Sequence, residues 1–92
     1  MIKLIQIIKS SHNEYRLANV YLNPKHIVFM SECHHHKAAL MEGKMNLDLE
    51  TSAAFTKIKI NEMSEFSEIT VVGDPEFIRS KIQKNSRNLL RG

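Results

Sequence analysis

The sequence predicts a small α+β domain that is mainly β, in which five or six short strands form a small barrel or a strongly bent sheet and a C-terminal helix follows. Short segments in which apolar and polar residues alternate, such as Lys44–Glu50 and Thr56–Asn61, are typical of strands with one buried and one solvated face. Asp74-Pro75-Glu76 has the chemistry of a helix start, with an N-cap carboxylate and a proline at the first helical position. Because the strands are short and closely spaced, a small barrel or bent sheet is favoured over a βαβ layer fold.

The other strands are predicted from their own composition. The segment Ile2–Lys9 is rich in β-branched residues and has apolar side chains at both odd and even positions. This is typical of a strand that is covered on both faces or used in an interface. Tyr15–Leu22 and His26–Met30 flank the turn dipeptide Asn23-Pro24. Glu68–Gly73 is predicted as the last strand before the helix.

The remaining segments are less regular. Ser31–Gly43 has no clear period, and within it Ala38–Met41 fits either a strand end or a helical turn. Glu62–Ser67 is predicted as a polar, acidic loop. The helix is predicted to run to about Asn85, and a basic tail over residues 86–92 follows it.

Length and composition limit the class of protein. A chain of 92 residues has room for a single domain, spanning residues 1–92, and buries only about two-thirds of its unfolded surface. Cys33 is the one cysteine, which excludes a disulfide-stapled secreted scaffold. No apolar stretch approaches the roughly 20 residues that cross a bilayer, and no signal peptide is recognisable. We therefore expect a cytoplasmic protein without a membrane partner.

The excess positive charge is confined to the end of the chain. Residues 1–74 carry eight basic and nine acidic side chains, a net charge of −1, whereas residues 75–92 carry five basic and one acidic, a net charge of +4. Such asymmetry predicts contact with a polyanion. The alternative is that a basic helix end complements its own dipole. From this segment we single out Arg79 and Lys84 as candidate nucleic-acid-binding residues.

A run of metal-ligating residue types occurs at Cys33-His34-His35-His36, since thiolate and imidazole bind zinc and copper. In an extended segment neighbouring side chains point to opposite sides, so at most two histidines, such as His34 and His36, could share one ion. No second Cys or His pair lies at zinc-finger spacing, and we predict neither a metal site nor a cofactor. We interpret His34, His35 and His36, together with Lys37, as a polar loop that contacts phosphate.

Lys57 and Lys59 are two residues apart on the exposed face of a predicted strand. A row of lysines on a sheet can follow a phosphate backbone. The alternative is that they protect a sheet edge from aggregation, and the nearby Asp48 and Glu50 would weaken a phosphate site. Most aromatic side chains are predicted to lie in the core, and Phe66, in a polar loop, is the least obviously buried.

Three segments, in this order, resemble a family of short Sm-like proteins known from marine metagenomes and cyanophage-like genomes: Val20–Val28, Phe55–Asn61 and Ile69–Ile78. The most specific piece is Val71–Pro75, which leads into the helix, and the resemblance covers roughly residues 20–92. It implies an Sm-like fold, a strongly bent five-stranded barrel whose members commonly assemble as rings and bind RNA.

The sequence also departs from a standard Sm domain. Its predicted helix follows the strands instead of preceding them, and Val72 stands before Gly73 where the family has an arginine that contacts RNA. The resemblance therefore implies the fold and the assembly but transfers no base-binding residue. The patterns in Leu22–Ile27 and Val71–Ile78 also resemble, less specifically, the small flagellar FlbD-type proteins.

From these observations we expect a ring-forming, Sm-like nucleic-acid-binding protein of phage origin that acts in RNA or DNA processing in the bacterial host cytoplasm. Its partners would be further copies of itself and RNA or single-stranded DNA. The alternative is an oligomeric adaptor for protein assembly that does not bind nucleic acid. No catalytic motif is present, so we expect no enzyme activity. The first strand, a hydrophobic edge blunted only by Lys3, Gln6 and Lys9, is predicted to pair with the next subunit.

Overall fold

The structure, a computed structural model, describes residues 1–10, 14–41 and 53–91. The segment Lys44–Glu50, predicted as a strand, lies outside these residues. Within them, a 3-10 turn at Pro24–His26 separates the second strand from the third. The described strands and helices are β1 (Ile2–Lys9), β2 (Tyr15–Leu22), β3 (Ile27–Glu32), α1 (His34–Met41), β4 (Phe55–Glu62), β5 (Glu65–Val72) and α2 (Pro75–Arg91). A mainly β domain with a C-terminal helix is thereby confirmed.

The first two strands have their predicted bounds, but the loop predicted at Glu62–Ser67 is wrong. There β4 and β5 form a tight hairpin through Met63 and Ser64, whose φ angles are 50° and 69°. A two-residue turn with two positive φ angles matches the twist of the flanking strands. Such turns usually contain asparagine or glycine. Because this turn contains neither, its composition does not indicate a hairpin.

The two helices also differ from prediction. The His-rich segment His34–Met41 is helical, not an extended loop, which resolves the ambiguity at Ala38–Met41 in favour of a helix. The C-terminal helix continues to Arg91 instead of ending near Asn85, so the predicted basic tail is mostly part of the helix.

The strands of the described residues form one antiparallel sheet in the order β2-β1-β5-β4-β3. Its two outermost strands, β2 and β3, are joined by residues 23–26 alone. Fully extended, that connection would span at most about 18 Å, and its 3-10 turn, which rises only about 2 Å per residue, makes it much shorter. The outermost strands of a flat five-stranded sheet are about 19 Å apart. The sheet must therefore curve strongly. It is not closed into a barrel, and only its bent, mainly β character is shown.

The prediction that β1 forms an edge is wrong. This strand lies between β2, with which it pairs along its whole length, and β5, with which it pairs through Gln6 and Ile7. The apolar residues at both odd and even positions of β1 reflect its central position, with contacts on both faces of the sheet. The strands at the ends of the described sheet are β2 and β3.

One face of the sheet, called the inner face below, is covered by α2. Cross-strand partners share a face, and the register pairs Ile2 with Leu22 on this one. The carboxylate of Asp74 starts α2 as predicted, accepting a bond from the backbone N–H of Phe77 at 2.8 Å. The buried residues of the inner-face cluster are Ile2, Leu4, Leu22, Ile58, Ile60, Val71 and, from α2, Ile78.

The opposite face, called the outer face, carries a second and smaller buried cluster made of Ile7, Tyr15, Cys33 and Phe55. Phe55 is three residues before the inner-face Ile58 on β4 and therefore points the other way. The backbone N–H of Cys33 donates to the carbonyl of Phe55 at 2.8 Å. Since Cys33 directly precedes α1, that helix begins beside the outer face.

No helix in the described part of the chain combines the length and the apolar character needed to cross a membrane.

Candidate nucleic-acid interface

The lysines of the described strands all lie on the outer face. The register places Lys57 opposite Thr70, and Thr70 opposite Ile7, so the odd-numbered positions of β1 and β4 share this face. The lysines at such positions are Lys3, Lys9, Lys57 and Lys59. Alternation along the strands therefore concentrates positive charge on one surface.

The acidic side chains of the strands are distributed differently. Glu32, Glu62 and Glu65 occupy positions that alternate onto the inner face. Of the acidic side chains on the described strands, Glu68 alone shares the outer face, where it lies directly opposite Lys59. The described strands thus give the outer face four lysines and one glutamate, a net charge of +3. This local excess attracts polyanions, although the strands as a whole are nearly neutral.

Three aromatic side chains of the described strands are exposed on the same face. Tyr21 is 60% exposed, Phe29 50% and Phe66 62%. The ladders place Tyr21 opposite Lys3 and Phe29 opposite Lys59, so two of the rings stand beside a lysine. The prediction that most aromatic residues are core is wrong, because Tyr21, Phe29 and Phe77 are exposed, whereas Phe66 is exposed as its polar surroundings indicate.

Phe29 reaches the outer face because of a β-bulge. The register shifts by one residue between Ile27 and Phe29, which makes Val28 the extra residue of β3. Without it, Phe29 would share the inner face with Ile27, two positions earlier. With it, Met30 takes the position opposite Ile58 and packs against the inner-face cluster. A one-residue slip of this kind exchanges the faces of every following side chain.

The ammonium group of Lys59 lies between the two exposed phenylalanine rings. Its Nζ is 6.0 Å from the centroid of the Phe29 ring and 5.4 Å from that of Phe66. Cation–π attraction at exposed sites is worth about 0.5–1 kcal/mol per contact. Because these contacts are weak, a ligand can displace the ammonium group, and the site then offers two exposed aromatic rings beside one cation.

The predicted His-rich contact is placed beside this surface by α1, which contacts β4 and begins next to the buried Cys33. His34 and His35 are exposed and Lys37 is half-buried, whereas the side chain of His36 lies outside the described part. Successive side chains of a helix are about 100° apart, so the alternation assumed for an extended chain is wrong here. Among the described residues, no group of three His, Cys, Asp or Glu side chains is arranged to hold a metal ion.

Arg79 and Lys84 are not brought to the outer face. Both are exposed on α2, which packs on the inner face through the fully buried Ile78. The guanidinium group of Arg79 lies 3.8 Å from the carboxylate of Glu76, one turn earlier. The two predicted groups of basic residues, those of the sheet and those of the helix, therefore lie on opposite sides of the domain.

Sequence reasoning does not single out Lys3, Lys9, Tyr21 and Phe29 as site residues. For the two β1 lysines a signal is available, because both occupy odd positions of a mainly apolar strand. For Tyr21 the signal is the same, because the odd-numbered positions of β2 also lie on the outer face. No local signal marks Phe29, since its face depends on the bulge at Val28.

The chain was compared with protein-family models, curated proteins and solved structures, and none of them matches it.

Proposed function

We propose that this protein binds single-stranded RNA or DNA across the outer face of its sheet, and that it does so as a closed homo-oligomer acting in RNA or DNA processing. The observation that carries the proposal is the position of Lys59 between the exposed rings of Phe29 and Phe66. Unpaired bases stack on exposed aromatic rings, and each stack is worth about 1–3 kcal/mol. Lysine side chains beside the stacked bases neutralise the adjoining phosphates.

Double-stranded nucleic acid fits this surface less well. The bases of a duplex are already stacked on one another, so the rings of Phe29 and Phe66 would gain no partner from it. The outer-face lysines would still attract its phosphates, without the contribution of stacking. Preference for unpaired strands is therefore part of the proposal.

Binding is expected to be visible by fluorescence anisotropy with labelled oligo-U and oligo-A at low salt, and to weaken as salt increases. If all four outer-face lysines contact phosphate, log K should fall with log salt with a slope of about −3 per protomer. The double variant Lys57→Gln/Lys59→Gln should lower the magnitude of that slope by about 1.4. The matched control is Arg79→Gln/Lys84→Gln, which removes the same charge from α2 and should change the slope less.

Two results would count against the proposal. One is the absence of binding at low salt, and the other is binding that salt does not weaken. If both double variants lower the slope of log K against log salt equally, binding depends on the overall charge of the domain and not on the outer face.

The proposed oligomer would use the two ends of the sheet instead of β1, which is a central strand. In the described sheet, β2 and β3 are the two edge strands, and each has a neighbouring strand on one side only. If β2 of one copy pairs with β3 of the next, the contact joins two different surfaces of the protein. Such a contact repeats from copy to copy and closes into a ring when the rotation between neighbouring subunits permits it. Repetition of one weak site around a ring raises the affinity for a strand that reaches several sites.

Light scattering at micromolar concentration should therefore give a mass several times the 10.6 kDa of the chain. The physical reason is that a pairing of two strand edges satisfies ladder groups and buries apolar surface that a small core leaves uncovered. A monomer peak that persists at high concentration would refute the ring and the gain in affinity that depends on it.

A groove beside α2 favours the alternative function, a protein-assembly adaptor. Beyond Gln6 and Ile7 the strands β1 and β5 diverge, and a cavity of about 260 Å³ opens between them, lined by Leu4, Ile5, Val72, Gly73, Phe77 and Lys81. Gly73, with φ of 114°, lets the ring of Phe77 lie over the backbone, because a Cβ there would be 2.5 Å from it. The groove is apolar, as a site for a partner side chain requires.

A further inference from the structure

Glu68 is the one acidic side chain that the described strands place on the outer face, and it lies within the proposed binding surface. Resting on the proposed function, we propose that Glu68 gives this surface a preference for guanine. The carboxylate would accept two hydrogen bonds from the Watson–Crick edge of a guanine that stacks on Phe66. The ligand class is then a guanine-containing single strand.

The placement of Glu68 next to a stacking platform supports this. Phe66 and Glu68 are two residues apart on β5 and share a face, so their Cβ atoms are separated by about 7 Å. Asn61 lies opposite Phe66 and Lys59 opposite Glu68, which surrounds the ring with polar groups of different kinds. A base lying on Phe66 therefore presents its edge to a carboxylate, an amide and an ammonium group.

The carboxylate is available for a ligand. Glu68 is exposed, and within the described residues no ion pair involves it. Its cross-strand neighbour Lys59 is directed toward the aromatic rings, with Nζ 5.4 Å from the Phe66 centroid. When a base occupies the ring, Lys59 is displaced and can reach a phosphate or a base oxygen.

The chemistry of the bases selects guanine. An ionised carboxylate only accepts hydrogen bonds, and two adjacent donors are needed to use both of its oxygens. Guanine has them in N1–H and the N2 amino group, with O6 beside them as an acceptor for Lys59 or Asn61. Adenine and cytosine offer one amino group next to an acceptor, and uracil offers one N–H between two acceptors. A well-placed bidentate pair discriminates by about tenfold or more.

The test compares short labelled oligonucleotides that repeat UUG, UUI and UUA, in which inosine lacks only the N2 amino group of guanine. Wild-type protein should bind the UUG strand about tenfold more tightly than the other two. The variant Glu68→Gln should bind all three strands similarly. Because it also removes a negative charge, its affinity for the UUA strand should stay equal or rise, which a misfolded variant would not show.

The matched control is Glu65→Gln, which removes the same charge from the hairpin, at a position that alternates onto the inner face. It should keep the full preference for UUG. Equal binding of UUG and UUI by the wild type would overturn the guanine inference and leave the proposed function standing. A preference for UUG that persists in Glu68→Gln would overturn the inference in the same way, whereas no binding of any strand would refute the proposed function itself.

Discussion

Replacing Phe29 and Phe66 together by alanine should weaken the binding of single-stranded nucleic acid by roughly 2–6 kcal/mol, since each base–aromatic stack contributes about 1–3 kcal/mol. Neither ring is buried, so the free energy of unfolding should fall by only about 1 kcal/mol per substitution. Fluorescence anisotropy with oligo-U measures the first quantity, and urea denaturation the second. Each single variant should show a part of the loss.

The control for this variant is Phe77→Ala. Phe77 is also half-exposed, at 48%, but it belongs to α2 and lines the groove beside Val72, at the opposite end of β5 from Phe66. Its loss should leave nucleic-acid affinity unchanged and affect only a partner that binds the groove. If Phe77→Ala weakens binding as much as the double variant does, the stacking surface has been assigned to the wrong side of the domain.

Truncating Phe55 should have the largest effect on stability. Its side chain is fully buried in the outer-face cluster against Cys33 and Ile7, so Phe55→Ala leaves a cavity and should cost about 3–5 kcal/mol. Domains of this size have only about 5–15 kcal/mol of stability in total. The midpoint of urea denaturation should fall accordingly, and the protein should be near its unfolding threshold at physiological temperature.

A second readout comes from the chain's one thiol. Cys33 is buried in the same cluster, so its reaction with a thiol reagent should be slow in the wild type and much faster in Phe55→Ala. The control Phe55→Leu keeps most of the volume and should cost less than about 1.5 kcal/mol. A loss below about 1 kcal/mol in Phe55→Ala would show that the outer-face cluster does not stabilise the domain.

The elements that sequence reasoning predicts well have local causes. The bounds of β1 and β2 follow from β-branched composition between turn residues, and the start of α2 follows from Asp74-Pro75, whose N-cap bond is present. Lys57 and Lys59 lie on the outward side of β4 as alternation predicts. In contrast, the hairpin turn at Met63 and Ser64 contains neither asparagine nor glycine, so its polar, acidic surroundings predict a loop where the structure has a hairpin.

Patterns within single segments are enough to predict a mainly β protein with a C-terminal helix and with Lys57 and Lys59 on one face of β4. Strand pairing places β1 at the centre of the sheet, and helix packing places α2 and its basic residues across the sheet from those lysines. The bulge at Val28 turns Phe29 outward. No local pattern predicts these three features, because periodicity shows only which residues share a face within one strand. Which strand lies beside it, and in which register, depends on pairing between segments distant in the chain.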